Sequence, residues 1–484
     1  MSISGALNNA LSGIYASARA TEIVASNIAN ATTPGFGRRS LEVASSTSGT
    51  SGGVRVSGIV RHADQVLISD RQAAGADQAY HSLTNRFMDT YENLIGTPDE
   101  VNSLSNRLAT FNADLITAIS RPDATERLNA AVASADDLTA VLRRASEGVQ
   151  DARSAADRTI AENVAQLNNA LKQVQDVNTR IGRANSQGNA SSALIDQRQL
   201  LIDEISELVP VRLIPRHGGT VALYSMGGAV LVDGRASEIG FTASNTVTPY
   251  MSVEGGALSG LTINDFPLRT SSVDGQLSGG ALGAQFAIRD ELGTQAQTQL
   301  DALARDLIAR FEGVTEDATR GATTPGLFTD NDALLDPSDE IGLASRIEIF
   351  SGVNPAAGGQ SWRLRDGLGA TAQGPVGDAS LLQAYADVLD ARVIPASGNL
   401  STAGVSAEGL IATLSSLVGG QRLYSDQSLS FASAQFAELR QMELADGVDT
   451  DAELQQLLVI EQSYAANARM IEVVDEMMQA LLRI

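Results

Sequence analysis

Residues 3–28, ISGALNNALSGIYASARATEIVASNI, place Ile3, Leu7, Ala10, Ile14, Ser17, Thr21, Val24 and Ile28 at alternating steps of four and three. At the far end, residues 457–481, LLVIEQSYAANARMIEVVDEMMQAL, place Leu457, Ile460, Tyr464, Asn467, Ile471, Val474, Met478 and Leu481 at steps of three and four. Both are the a/d pattern of a coiled coil. A helix with such a stripe cannot hide it alone and needs a partner helix. Matching stripes at opposite ends predict a subunit closed by its own termini and stacked on like copies. That is the logic of an assembly protein rather than an enzyme.

The first helix is predicted from about Ser4 to Asn30. Thr33 precedes Pro34 and is steered away from helical backbone. Thr33-Pro34-Gly35-Phe36 reads as a type II turn, with proline presetting φ and glycine supplying positive φ. Arg38 and Arg39 follow, then a short alternating piece, Leu41-Glu42-Val43. Residues 44–58, rich in Ser, Thr and Gly, read as a loop or irregular edge.

From about Asp64 to Val209 the texture is helical. Leu104, Leu108, Phe111, Leu115 and Ile119 form one stripe, ended by Arg121-Pro122. Leu128, Leu138, Val141 and Leu142 mark a second helix. Ile160, Val164, Leu167, Leu171, Val174, Asn178 and Ile181 mark a third, broken at Ser186-Gln187-Gly188-Asn189. A fourth runs from Ala193 to Leu208 and stops at Pro210. Several long helices with short breaks predict an elongated bundle. Residues 211–280 turn β-rich, with Asp233-Gly234 as a hairpin signal. Helix returns from Ala284 to Phe311, residues 313–340 are loop-like, and 341–400 are mixed. Helices resume near Ser406, broken at Asp446-Gly447.

The expected fold is therefore mainly α with an inserted β-rich segment. Paired terminal coiled-coil helices (1–43 and 404–484) join an elongated helical bundle (44–209 and 281–312). A small outer β-rich or mixed domain holds 210–280 and 313–403. This order puts the termini side by side and the middle of the chain farthest from them.

Composition narrows the function. A chain of 484 residues suits about three domains of ~150 residues. Hydrophobic content of 43% supports real cores, and 4% aromatics means they are built from Ala, Leu, Val and Ile. Thirty-four basic residues face 57 acids, a formal charge of -23, which argues against nucleic acid as a partner. The absence of cysteine excludes disulfides and thiolate chemistry. No apolar run approaches the ~18 residues of a membrane span, so no membrane partner is expected. MSISGALNNALSG has neither a basic region nor a continuous apolar core, so it is not an ordinary signal peptide. The protein stays in the cell or leaves by a route that reads something else.

No catalytic constellation is expected, and no cofactor or metal. His62, His81 and His217 stand far apart without ligand-like spacing. No nucleophile elbow is present, and Gly227-Gly228 and Gly279-Gly280 lack the strand–helix context of a phosphate loop. Asp196-Gln197-Arg198 is read as bonding within the bundle. Thr450-Asp451-Ala452-Glu453 fits a capping box. Asp446, Asp449, Asp451 and Glu453 also suggest calcium, although their spacing does not fit an EF-hand. Arg38 and Arg39 either pair with this acidic cluster on a neighbour or stand solvated. Asn467, polar on an apolar seam, either sets register or faces a small gap. Stripes of Ala, Ser and Thr bury little, so residues 1–40 and 440–484 are expected to be disordered in the free monomer and to fold on assembly.

Ser26-Asn27-Ile28-Ala29-Asn30 followed by Thr33-Pro34-Gly35-Phe36 resembles the N-terminal signature of bacterial flagellar rod, hook and hook-associated proteins. Glu461-Gln462-Ser463-Tyr464-Ala465-Ala466-Asn467-Ala468-Arg469, then Asp475-Glu476-Met477 and Leu481-Leu482, resembles the matching C-terminus. The long helical segment ending in Ala193-Leu194-Ile195-Asp196-Gln197-Arg198-Gln199-Leu200-Leu201 resembles the hook-associated protein 1 family of the hook–filament junction. The likeness extends to Met226-Gly227-Gly228 and fades between about 313 and 400. It argues against a rod or hook subunit, which passes into β structure soon after the Pro-Gly turn. A wall-degrading enzyme of flagellar assembly would need a catalytic domain that no segment provides.

The resemblance implies export through the flagellar type III channel and assembly at the hook tip. It implies a homo-oligomer in the axial tube, with hook protein and the next junction protein as neighbours. The export apparatus and a chaperone holding Leu457 to Leu482 would be earlier partners. It assigns the assembly interface to the terminal stripes together with Asn27, Asn30, Pro34, Gly35 and Phe36.

Overall fold

A computed structural model describes residues 3–33, 35–45 and 52–482. Pro34, the proline of the predicted turn, lies outside the described residues.

The chain opens with α1 (Ile3–Ala29), the hairpin strands β1 (Arg38–Ser45) and β2 (Val54–His62), and the helices α2 (Gln65–Ile95), α3 (Leu104–Ser120), α4 (Thr125–Ser186) and α5 (Ser192–Leu208). Short strands follow: β3 (Val211–Pro215), β4 (Val221–Ser225), β5 (Val230–Asp233), β6 (Arg235–Ala236), β7 (Ile239–Gly240), β8 (Thr262–Ile263) and β9 (Phe266–Pro267). Then come α6 (Gly280–Phe286), a π-helical turn over Ala287–Leu292, and α7 (Gly293–Glu312). The remainder holds β10 (Phe328–Asp330), α8 (Leu343–Arg346), β11 (Ile347–Ile349), α9 (Arg363–Asp366), α10 (Ser380–Asp390), α11 (Ala407–Ala445) and α12 (Thr450–Leu482). The mainly helical class with an inserted β-rich segment is as the sequence predicts.

The two helices expected around Leu128 and Ile160 are one helix, α4, of 62 residues. At 1.5 Å per residue it is about 93 Å long. Gly148 does not break it. A Cβ there would meet the Leu94 side chain at 2.5 Å, so this glycine lets α2 approach closely.

Two hydrophobic cores share α4. The first packs Leu128 to Val149 with α3, the end of α2, α7, α10, residues 314–368 and the start of α11. The scarce aromatics gather here: Phe311 meets Phe328 edge-on at 4.8 Å between centroids, and Phe111 meets Phe328 at 5.7 Å. The second core packs Ile160 to Ile181 with α5, the four-stranded sheet β3–β6, and α6. The segments 210–280 and 313–403, expected together in one outer domain, thus pack on different halves of α4. Periodicity placed neither segment, because each is short elements tied by loops.

A buried polar cluster marks the boundary between the cores. Arg289 Nη1 donates to Asp157 Oδ1 at 2.8 Å, with both side chains fully buried. Arg153 Nε donates to the Arg289 carbonyl at 2.7 Å. Paired and hydrogen-bonded charges of this kind are tolerated in an interior, where a lone one is not.

The β1–β2 hairpin replaces part of the loop expected over 44–58. Val54, Val56, Ile59 and Val60 carry the strand signal, and a bulge between Glu42 and Val43 absorbs the extra residue. Residues 46–51 of that expected loop lie outside the described residues. The Asp233-Gly234 signal holds: Asp233 pairs with Arg235 across Gly234, at φ 76°.

Candidate assembly interface

The two termini meet. In α1 and α12, Gly13 lies against Asn467 and Asn27 against Glu453, so the helices run antiparallel in one constant register. On α1 most of the predicted stripe faces inward: Ala10, Ser17, Val24 and Asn27 are buried, Ile3, Leu7, Ile14, Ile28 and Asn30 half-buried, and Thr21 exposed. On α12 Ile460 and Val474 are buried, and Leu457, Asn467 and Ile471 half-buried. Tyr464, Met478 and Leu481 remain exposed, so the predicted seam is only partly filled by α1.

Asn467 Nδ2 donates to its own Ser463 carbonyl at 3.0 Å, one turn back. Its bulk sits against the bare backbone of Gly13, where an added Cβ would stand 2.6 Å from Nδ2. Its contact with α1 is one of shape.

Below the seam lies a polar joint. Asn27 Nδ2 donates to Glu453 Oε2 at 3.0 Å and to the Arg39 carbonyl at 2.8 Å. Arg39 N returns a bond to Asn27 Oδ1 at 3.0 Å. Arg38 Nε donates to the other oxygen of Glu453 at 2.7 Å, and this carboxylate is 1% exposed. Glu453 is not part of a capping box. The cap of α12 is Asp449, whose Oδ1 accepts from the backbone of Asp451 at 2.9 Å and Ala452 at 3.1 Å. That frees Glu453 to face α1. Arg38 thus pairs with the acidic cluster of its own chain.

A second carboxylate ties the joint to the bundle. Asp196 accepts from Arg39 Nη2 at 2.5 Å, Arg61 Nε at 2.7 Å and the Gly37 backbone at 3.2 Å. The expectation that Asp196 bonds within the bundle is corrected: its partners lie on the hairpin. Arg198 does bond there, to Asn178 Oδ1 at 3.0 Å and the Gly219 carbonyl at 2.9 Å. Burial, then repulsion from Arg61, pushes the Arg198 guanidinium down to about 10. The Thr33 carbonyl accepts from Phe36 N at 3.2 Å and Gly35 has φ 74°, as the turn requires. Phe36 lies 4.8 Å beneath the Arg39 guanidinium.

A third junction holds α2, α5 and α11 together. Arg71 pairs with Asp203 at 2.6 Å and also with Glu443. Burial works against its charge, but the two carboxylates outweigh it and raise its pKa.

Sequence reasoning found the seam and missed the joint. Gly13 carried no signal of its own, and Glu453 had a local reading as part of a cap. Asp196 and Arg61 are separated by 135 positions. Among the described residues, no group of three or more His, Cys, Asp or Glu side chains is placed to hold a metal ion. Among the described residues, no helix is long and apolar enough to cross a membrane.

Residues 88–327 match the flagellar hook-associated protein FlgK helical domain. Residues 7–36 match the flagella basal body rod protein family, and 445–484 match the flagellar basal body rod FlgEFG protein C-terminal family. Flagellar hook-associated protein 1 of Salmonella typhimurium is 30% identical over 57% of this chain and 52% of its own length. The chain thus spans about half of that relative in the match. Flagellar hook-associated protein 1 of Escherichia coli is 25% identical over 100% of both chains, and that of Bacillus subtilis 21% identical over 98% of this chain and 97% of its own. The solved flagellar hook junction protein FlgK from Burkholderia pseudomallei aligns with 54% of this chain and 46% of its own, at TM-score 0.43 and 22% identity. With the helical-domain family in the middle and the rod families on the two helices that mate, this chain belongs to the flagellar hook-associated protein 1 (FlgK) family.

Proposed function

We propose that this chain is a structural subunit of the bacterial flagellum that joins hook to filament. The observation that carries the reading is the mating of the two termini that match rod families. They form an antiparallel pair with an incompletely filled seam, closed by Glu453 and tied through Asp196 to a long helical body. Such a pair offers apolar surface to like neighbours, and the body is stiff enough to set their spacing. The role is architectural, with no reaction for the chain to catalyse.

On this reading the chain leaves the cell through the flagellar type III route and completes the order of its terminal helices on joining the axial tube. Its neighbours are copies of itself, hook protein and the next junction protein. Before export, a chaperone covers the apolar residues of α12, where Leu458, Tyr464, Met470 and Leu482 are exposed. The helical body distinguishes the chain from a rod or hook subunit.

A deletion strain tests the reading. Hooks without filaments, with flagellin shed into the medium, are expected. Full-length filaments in that strain would overturn it.

A further inference from the structure

We propose that in the free subunit α12 folds back as a hairpin onto its own α11 and lays the seam now mated to α1 into the groove between α11 and α2. The helices α1 and α11 then compete for one face of α12. The inference goes beyond the architectural reading, because the closure belongs to the isolated chain.

Leu417, Gln421, Tyr424, Ser428, Phe431 and Gln435 follow one face of α11 at alternating steps of four and three. None is buried, and Tyr424 and Phe431 are 73% and 72% exposed in a chain poor in aromatics. Beside this stripe α11 and α2 leave an open groove of about 960 Å³, walled by Tyr80 and Met88 of α2 and Leu292 of the π-helical turn. A second hollow of about 370 Å³ continues it past Tyr424 to Phe431 and Gln435. A Cβ added at Gly420 would meet nothing within 4 Å. A largely apolar groove between helices takes the apolar face of a further helix.

Register, length and charge all name α12 as that helix. Its residues Ile460, Tyr464, Asn467, Ile471, Val474 and Met478 repeat the same alternation of steps. Only Asp446 to Asp449 separate α11 from α12, a connection of the length found in helical hairpins. Counted from the middle of that connection, Phe431 and Tyr464 are equally far along their helices, as are Tyr424 and Ile471, and Leu417 and Met478. The polar members match as well, with Ser428 level with Asn467. Antiparallel heptads in this register interlock along the whole stripe. With 33 residues, α12 brings its last turn level with Thr413, at the far end of the groove. Neither stripe holds a charged residue, so closure buries no charge in the seam. Gly447 gives the connection the backbone freedom to reverse.

The same stripe serves both partners. Ile460 and Val474 are buried, and Asn467 lies against Gly13, in the pair with α1. So α12 cannot hold α1 and α11 at once. Tyr464 and Met478, which α1 leaves exposed, are covered by Phe431 and Leu417 in the closed form. The free chain thereby hides its adhesive face until α1 takes it. One shallow face holds the closed form, so α12 amides still exchange far faster than those of the cores.

The absence of cysteine makes the test direct. Tyr424→Cys and Ile471→Cys are placed in one chain, and the purified protein is oxidised at low concentration. An internally bridged monomer is expected, formed about tenfold faster than with Tyr424→Cys and Met478→Cys, which are one heptad out of register. Equal rates would show a tail that collides without register, and would overturn the closure. Tyr424→Cys and Ile471→Cys in separate chains are expected to give no dimer under the same conditions. A dimer in place of the internal bridge would assign the groove to a second copy and overturn the closure. As a second variant, Phe431→Ser is expected to slow the bridging of Leu417→Cys with Met478→Cys about tenfold, and an unchanged rate would count against the seam. The bridged monomer should enter junctions only after reduction. Incorporation of bridged and reduced chains alike would overturn the competition with α1. The bridging assay needs no flagellum, so it judges the closure whatever a deletion strain shows of the hook–filament reading.

Discussion

The side-chain amide of Asn467 occupies the space in which a Cβ on Gly13 would stand, 2.6 Å from Nδ2 and 2.8 Å from Cγ. Sliding the pair by one heptad would set Asn467 against Ala6 or Ala20, each with a Cβ. The register of the terminal helices is therefore held by shape. Gly13→Ala gains about 1 kcal/mol of helix propensity, yet is expected to weaken the pair by about 1–3 kcal/mol through overpacking. Adding Asn467→Ala should recover most of the loss, with the coupling read from a double-mutant cycle of thermal melts. Normal assembly by Asn467→Leu would remove the register role.

Glu453 holds the base of the pair. Glu453→Ala leaves buried Asn27 without one acceptor and Arg38 without its carboxylate, at a cost of about 1–3 kcal/mol. Amides of residues 27–39 should exchange faster with solvent in this variant, while those of α4 stay protected. Unchanged exchange at 27–39 would show that the carboxylate is dispensable.

Asp196 couples the hairpin to the bundle. Asp196→Ala strands Arg39 and Arg61 in a half-buried site, and the hairpin is expected to loosen by about 3 kcal/mol. The global melting of the bundle should change far less, because Asp196 belongs to neither core. Limited proteolysis between residues 35 and 64 reads the difference.

Asp301 gives a pH signature. Burial pushes its carboxyl up to about 6, despite bonds from Ala344 N and Gly342 N, both at 2.8 Å. The folded pKa lies above the unfolded one, so the folded state holds the extra proton between about pH 4 and 6. Stability from this group is fully present below about pH 4 and lost as pH rises through 6, by about 3 kcal/mol in all. Asp301→Asn removes the dependence. Denaturation at pH 4.5 and 7 should therefore show the variant losing ground to the parent mainly at the lower pH.

The terminal pair buries little compared with the cores. In the free chain, amides of residues 465–482 are expected to exchange orders of magnitude faster than those of Leu128 to Ile181. Equal protection would mean that the pair is stable without neighbours, against the reading that assembly completes its order.

What could be read from the sequence was what repeats locally. The stripes of α1 and α12 are heptads, and the Pro-Gly turn has its own chemistry, so both were visible. Glu453 was misread because Thr450 to Glu453 spells a capping box, whereas Asp449, one residue earlier, takes the cap. Arg38 and Glu453 lie 415 positions apart, and no local pattern carries that pairing. The unity of α4 was hidden because a glycine in mid-helix looks the same whether it breaks the helix or admits a neighbour such as Leu94. Residues 313–403 have no long period to read, since Phe328 and Tyr385 of this segment take their places by packing on Phe311 of α7.

Because a single helix belongs to both cores, neither can melt while the other keeps α4 straight. A force applied at either tip first meets the weakly buried terminal pair, then one cooperative barrier. The molecule should therefore yield in two events under tension: a soft one at its ends and a single sharp rupture of everything built on that strut.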